Sequence, residues 1–321
     1  MFMDDAWGRV YRLAGPAQAP LVDVEDVTKR YAGREAITSL ALSLRPGEVL
    51  GLVGGNGGGK TTTLRILGGL LKPDAGRGRV LDFDLLGGAR EIRRRVGYMS
   101  QRLSLYSELT VFENLRFRAE VYGLSGSRRA AEATMHDFDL TRYGRTPAGA
   151  LSGGWARRLQ LAAALIHSPR LVLLDEPTAG LDAGSRQEAW HCIERTARAG
   201  AGVIVSTHDL SEAEWCSRAA LLSEGRLVAM GTPEQMARSV RASVFLLSGS
   251  HVRRLAHTLR KVPGVIATYP QGVNLRVVAA VGAESALESI ARSSATRLAR
   301  VGMCLEDAVL VLGQTGSKGW A

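Results

Sequence analysis

Long apolar runs are missing from this 321-residue chain. No stretch reaches the roughly 18–20 residues needed to cross a bilayer, so a spanning helix is not expected. Cysteine is scarce as well, and Cys192, Cys216 and Cys304 lie too far apart for a disulfide framework or a metal knot. Lysine occurs only at positions 29, 60, 72, 261 and 318, so the net charge of +10 is almost wholly arginine. A basic balance can mean nucleic acid or an anionic surface. Here the arginines are dispersed, with short clusters at Arg93-Arg94-Arg95 and Arg128-Arg129. Dispersed arginine reads as a solvated face, and no nucleic-acid partner is expected. The opening Met1-Phe2-Met3-Asp4-Asp5 lacks the basic-then-apolar pattern of a signal peptide, which predicts a cytoplasmic location. What is present, 45% hydrophobic and 22% charged residues, suits a soluble chain long enough for one large domain and a small one.

One stretch organises the rest. The apolar run Val49–Val53 reads as a buried strand; glycines break it, and Thr61-Thr62-Thr63-Leu64 begins a helix. Between them, Gly54 to Thr61 fits G-x-x-x-x-G-K-[ST]. A triphosphate needs many donors at close range, and glycine lets the backbone curl so that successive N–H groups point inward. The helix start adds its positive dipole end. Gly54, Gly55, Asn56, Gly57, Gly58, Gly59, Lys60, Thr61 and Thr62 are therefore the candidate nucleotide-binding residues. Lys60 would neutralise the β/γ-phosphates and the Thr61 hydroxyl would ligate Mg²⁺. The bland alternative is a flexible glycine turn, which the flanking strand and helix argue against.

Around this loop the pattern alternates. Residues 1–20 read as an extension, 21–27 as an alternating strand and 36–44 as a second strand. Tyr31 stands exposed at the Ala32-Gly33 turn between them. Arg90–Arg95 reads as a short basic helix and Val96–Met99 as a strand ending at Ser100-Gln101. Residues 110–143 turn helical, and a further helix opens at Leu151-Ser152-Gly153-Gly154. Leu171–Leu174 and Gly202–Ser206 are apolar runs of the kind buried on both faces of a parallel sheet. Strands alternating with helices predict an α/β core, interrupted by an inserted helical subdomain over about residues 102–158. Past Met236 the order βαββαβ suggests a small ferredoxin-like α+β domain over 243–321, closed by a helix at Leu305–Leu312.

Three further motifs narrow the chemistry. Strand Leu171–Asp175 ends in an acid followed at once by Glu176. A carboxylate there can hold Mg²⁺ opposite Thr61, and the next one can take a proton from an attacking water. A helix-capping turn is the plainer reading of Asp-Glu-Pro. Ser152, Gly153 and Gly154 place a hydroxyl and two unobstructed N–H groups at a helix start, a second anion site in one chain. One γ-phosphate rarely needs two such sites from one subunit, so this one is economically explained as serving nucleotide bound to another copy; an ordinary N-cap is the alternative. His208 follows a strand end, in the crevice where α/β ligands bind, and can bond the γ-phosphate.

Together these residues resemble the ATP-binding-cassette (ABC) transporter ATPases over about residues 21–237. The resemblance implies a P-loop NTPase fold with a parallel core sheet and an N-terminal antiparallel β-subdomain, with ATP and Mg²⁺ as cofactors. It implies roles for matching positions. Tyr31 resembles the aromatic that stacks on adenine. Gln101 resembles the glutamine that contacts Mg²⁺ and the attacking water and senses the membrane partner. Ser152-Gly153-Gly154 looks like the signature motif, Asp182 the D-loop aspartate, Asp175 the metal-binding acid, Glu176 the catalytic base and His208 the switch histidine. The segment Leu105–Leu115 is similar to the type-2 exporter branch, which handles drugs, polysaccharides, ions and lipids.

The expected protein is thus the ATPase subunit of an exporter, a homodimer around two ATP, peripheral on the inner face of the membrane through a separate permease. An importer ATPase, a soluble protein of the same family acting on ribosomes or DNA, and a non-hydrolysing regulatory cassette are the rivals; intact Lys60, Asp175, Glu176 and His208 oppose the last. Two positions depart from the family pattern. Trp155 replaces the signature's usual glutamine, which predicts tuned rather than abolished hydrolysis, and Gly58 replaces an alanine or serine. Because every nucleotide motif precedes Met236, a chain cut at 243 is expected to keep a folded, ATP-binding part.

Overall fold

The computed structural model describes residues 19–316, so the expected N-terminal extension and the end of the tail lie almost wholly outside the described residues. β1 (Val22–Tyr31) turns Val22, Val24 and Val27 inward, and antiparallel β2 (Arg34–Leu44) returns beside it. β3 (Val49–Val53) is buried at every position and leads through the glycine loop into α1 (Lys60–Leu67). β4 (Ala75–Val80) and β5 (Phe83–Asp84) rejoin the hairpin in a sheet of order β2-β1-β4-β5. The short α2 (Ala89–Arg93) precedes β6 (Val96–Met99).

Helices α3 (Val111–Val121), α4 (Ser127–Asp137) and α5 (Gly153–Leu165) make the insert. α3 begins at a capping box in which Thr110 and Glu113 satisfy each other's backbone N–H. Val111, Leu115, Met135 and Leu159 share one buried cluster with Val172, Leu174 and Val203 of the core strands. The insert therefore grows out of the main core.

β7 (Leu171–Asp175), α6 (Ala183–Arg198), β8 (Gly202–Thr207), α7 (Leu210–Ala213), β9 (Arg218–Ser223), β10 (Arg226–Gly231) and α8 (Pro233–Ser239) complete this part. The core sheet has the order β10-β9-β3-β8-β7-β6 and is parallel except for the β9–β10 hairpin. Its strands alternate strictly: Leu171 and Leu173 face the hairpin sheet and α1, while Val172 and Leu174 face the insert. Both faces are apolar because both are covered. Register then aligns the strand ends. Val53 lies opposite Thr207, Asp175 opposite Ser206, and Met99 opposite Leu174, so the chemistry-bearing loops leave along one edge.

β11 (Ala242–Ser248), a 3₁₀ turn at Val252–Leu255 running into α9 (Ala256–Leu259), β12 (Val265–Gln271), β13 (Asn274–Ala280), α10 (Glu284–Ser293) and β14 (Arg297–Val301) form an antiparallel sheet of order β12-β13-β11-β14. This is the ferredoxin-like order read from the sequence. The first helix of this order is short: His251 sits in the left-handed region (φ 63°), and the turn that follows it is 3₁₀.

The closing helix α11 (Leu305–Gly316) behaves differently from expectation. Leu305 and Val309 pack with Val53, Ala213, Leu221 and Met236, so the helix is a wall of the nucleotide-binding part. A cut at 243 removes that wall. Its other face is tied to the small sheet: buried Asp307 accepts from Arg276 (2.6 Å), from the Tyr269 hydroxyl (2.7 Å) and from the Cys304 N–H (2.8 Å). Burial would raise the Asp307 carboxyl, but these bonds outweigh it and hold the group below the usual carboxylate range.

Candidate active site

The glycine loop is clamped from both sides. A Cβ at Gly54 would stand 2.1 Å from the Leu222 carbonyl of β9, and one at Gly59 would stand 2.9 Å from the Ala36 carbonyl of β2. Both glycines have positive φ, 153° and 102°, which other residues rarely adopt. Gly58, the departure from pattern, lies 3.0 Å by the same measure from the Leu222 carbonyl. Lys60 is only 7% exposed, and its Nζ donates to the Gly54 and Gly55 carbonyls at 2.7 and 3.0 Å. Burial lowers its pKa, and the charges of Glu176 and Asp175 work against that. A buried ammonium folded into a ring of backbone amides is the arrangement a phosphate chain requires.

Thr61 and Asp175 meet: the Thr61 hydroxyl donates to Asp175 Oδ1 at 3.1 Å. The Ser206 hydroxyl donates to the same oxygen at 2.6 Å. Ser206 is a residue the motifs did not point to; the parallel register that sets it opposite Asp175 was its only signal. It also accepts from the Glu176 N–H at 3.0 Å, and this helps hold Glu176 at φ 48°. Left-handed backbone at a non-glycine residue costs about 1–3 kcal/mol and persists where neighbours enforce it.

That backbone aims the Glu176 carboxylate between two other predicted residues. Gln101 Nε2 donates to Oε2 at 3.0 Å, and His208 Nδ1 lies 3.3 Å from Oε1. Two residues from two loops, 75 and 32 positions from Glu176, thus converge on its carboxylate. A second ring of contacts steadies the His208 loop: Arg186 of α6 reaches Asp209 at 3.1 Å, and buried Glu212 accepts from Thr207 at 2.8 Å.

The remaining candidates stand apart. Among the described residues no hydrogen bond joins Ser152, Gly153, Gly154 or Asp182 to the phosphate loop. Ser152 occupies the N-cap position of α5, yet its exposed side chain makes no capping bond, so the ordinary N-cap role is not filled. Asp182 caps α6 through the Ser185 N–H and hydroxyl, which hold its carboxyl low. Tyr31 is 46% exposed at the end of β1, with Lys29 Nζ 5.8 Å over its ring. Trp155 lies 4.7 Å from the Tyr143 ring, with the guanidiniums of Arg142 and Arg158 at 4.8 and 4.5 Å. It packs within its own subunit.

A clamped phosphate loop, a strand-end Asp-Glu pair and a histidine at the neighbouring strand end define the class: a P-loop nucleotide-binding protein of the ATPase type. The family follows from comparison. Residues 37–179 match the ABC transporter family, and the chain belongs to it. It is 36% identical over 229 residues to a probable multidrug ABC transporter ATP-binding protein, YbhF, of Escherichia coli (strain K12), covering 71% of this chain and 40% of that protein. The chain thus spans well under half the length of that relative. It is 36% identical to the daunorubicin resistance ATP-binding protein DrrA2 of Streptomyces coeruleorubidus, over 75% of this chain and 77% of the relative. With a Nod factor export ATP-binding protein I of Burkholderia orbicola (strain AU 1054) it shares 38% identity, over 68% and 73%. Among solved structures it resembles an ATP-binding subunit of an ABC transporter (TM-score 0.63, 31% identity, 68% of this chain and 92% of that one). It also resembles the ATP-binding cassette MJ0796 as a post-hydrolysis dimer with ADP and Pi (TM-score 0.62, 27% identity, 66% and 98%).

Proposed function

We propose that the protein binds and hydrolyses ATP as the motor subunit of an ABC exporter. The observation that carries the reading is the Glu176 carboxylate held by Gln101 and His208 beside Thr61 and Asp175. The phosphate loop and Lys60 hold the phosphates, and Tyr31 packs on the adenine. Gln101 orients water against Glu176, Glu176 accepts its proton, and His208 bonds the γ-phosphate. Thr61, Asp175 and Gln101 are hard oxygen donors of the number Mg²⁺ takes from protein when phosphates and waters complete its shell. Bound there, Mg²⁺ would supply neutralisation of the charge that develops on the phosphates.

Two copies close around two nucleotides, with Ser152–Gly154 of each serving the other's site. The free Ser152 side chain supports this, as does the dimeric cassette of similar fold. The membrane partner in this reading is a separate permease, and no helix among the described residues is long and apolar enough to cross a bilayer. Exposed Leu103 and Tyr106, in the loop that follows Gln101, and Phe117, whose ring meets that of Tyr106 at 5.0 Å, suit such a partner, and the names of the relatives favour export. An importer would instead require a binding protein for transport.

The test is Glu176→Gln, in which the amide keeps the shape but cannot accept a proton. It should retain ATP binding, lose turnover and accumulate as an ATP-dependent dimer by size exclusion. Turnover near the parental rate would remove Glu176 as the base.

A further inference from the structure

Gln160 lies eight residues beyond Ser152 on α5, with 3% of its surface exposed, and no motif marks it. Its Nε2 donates to the Ser100 carbonyl at 3.0 Å and to the Arg102 carbonyl at 2.9 Å. An amide nitrogen has two hydrogens, and these two carbonyls take them. The hydroxyls of Ser100 and Ser104 sit further off, both at 3.3 Å. Its Oε1 accepts from Arg157 Nη1 at 3.2 Å, which fixes the amide's orientation. Ser100 and Arg102 are the two neighbours of Gln101, and the Ser100 hydroxyl bonds the Arg102 carbonyl at 2.8 Å. One buried side chain of the signature helix therefore grips the backbone on both sides of the residue that touches Glu176.

We propose that Gln160 is a positioning residue: it ties α5 to the Gln101 loop, so that Gln101 meets Glu176 only while the signature helix stands in register with the loop. The inference rests on the reading of Gln101 and Glu176 as a catalytic pair. Glycines and Ser152 at the start of α5 and Gln160 in its third turn then belong to one rigid rod. Any shift of the signature end reaches the other subunit's nucleotide at one end and this subunit's water-orienting amide at the other. A satisfied polar core contact without that role would serve stability alone.

Gln160→Met keeps the length without a donor, and Gln160→Glu keeps the acceptor for Arg157 without a donor; the second stands in if the first does not fold. In the full chain, turnover should fall at least about tenfold, since misplacement by an ångström costs about a hundredfold. ATP affinity should stay within about twofold, as expected when only the transition state is affected. Hydrogen exchange of the segment 99–106, measured without nucleotide, should rise. The decisive arm is the double variant Gln101→Ala with Gln160→Met, which should turn over no more slowly than Gln101→Ala alone. Losses that multiply, or turnover unchanged in either Gln160 variant, overturn the proposal. If Gln101→Ala itself keeps the parental rate, the catalytic-pair reading falls instead; unaltered exchange across 99–106 still overturns the tie between helix and loop.

Discussion

Lys60 is the residue whose removal isolates nucleotide binding from catalysis. Its Nζ bonds only loop carbonyls among the described residues, and a triphosphate would restore the charge that burial disfavours. Lys60→Ala should weaken ATP affinity by about 10–100-fold, the worth of one charge-assisted contact. A nucleotide titration that gives the parental affinity would contradict the phosphate-loop assignment. Trp155 makes the opposite case. Its ring is held by Tyr143, Arg142 and Arg158 of its own subunit, and Arg158 also pairs with Glu188. Trp155→Gln should therefore lower stability by about 1–3 kcal/mol through lost ring and cation contacts while the monomer's ATP affinity holds. Denaturant unfolding checks the first half and nucleotide titration the second. Loss of affinity without loss of stability would mean that the indole serves nucleotide directly.

Between single residues and the whole chain, the element that decides the mechanism is α5. Its start carries Ser152, Gly153 and Gly154, with nothing within 4 Å of a Cβ built at Gly153 and the Ser185 hydroxyl at 3.4 Å from one built at Gly154. Such openness suits an incoming phosphate. Ser152→Arg should leave the monomer's ATP affinity nearly intact, because Lys60 and the loop supply it, yet abolish hydrolysis by blocking the approach to a second copy's nucleotide. Mixing Ser152→Arg with Lys60→Ala protein should return some activity, since one site of the mixed dimer is then built from two intact halves. If Ser152→Arg alone loses ATP as badly as Lys60→Ala, the signature works within its own subunit and the sandwich is wrong.

At the scale of the molecule, α11 joins the small sheet to the nucleotide-binding part. A chain ending at 302 would uncover Val53, Leu221 and Met236 and lose the burial of Leu305 and Val309, each worth about 1.5–3 kcal/mol. Such a truncation should melt lower and yield less soluble protein, with the ATP-induced rise in melting temperature as the measure of what still folds. Asp307 adds a pH signature. A carboxyl held below its unfolded value stabilises the fold above the ordinary carboxylate range, and that contribution is lost as pH falls through the depressed native value. Asp307→Asn should therefore lower stability at neutral pH and flatten the acid limb of the stability curve. Parallel acid limbs in the two proteins would show that the Arg276–Asp307 contact does not set it.

Much of this was legible in the chain itself. The phosphate loop, the Asp175-Glu176 pair and His208 stand at strand ends, and strand ends can be read from apolar runs that stop at turn residues; the βαββαβ order past Met236 followed from the same periodicity. Local chemistry fixes such features because a glycine's freedom and a strand's alternation act over a few residues. Ser206, Gln160 and Arg186 gave no such sign, for each earns its role from a residue at least 23 positions away in sequence. The placement of α11 was equally hidden. Its apolar positions say that one face is buried, but only the tertiary structure chooses what buries it, since hydrophobic burial is non-directional and takes whichever apolar surface the fold brings within reach.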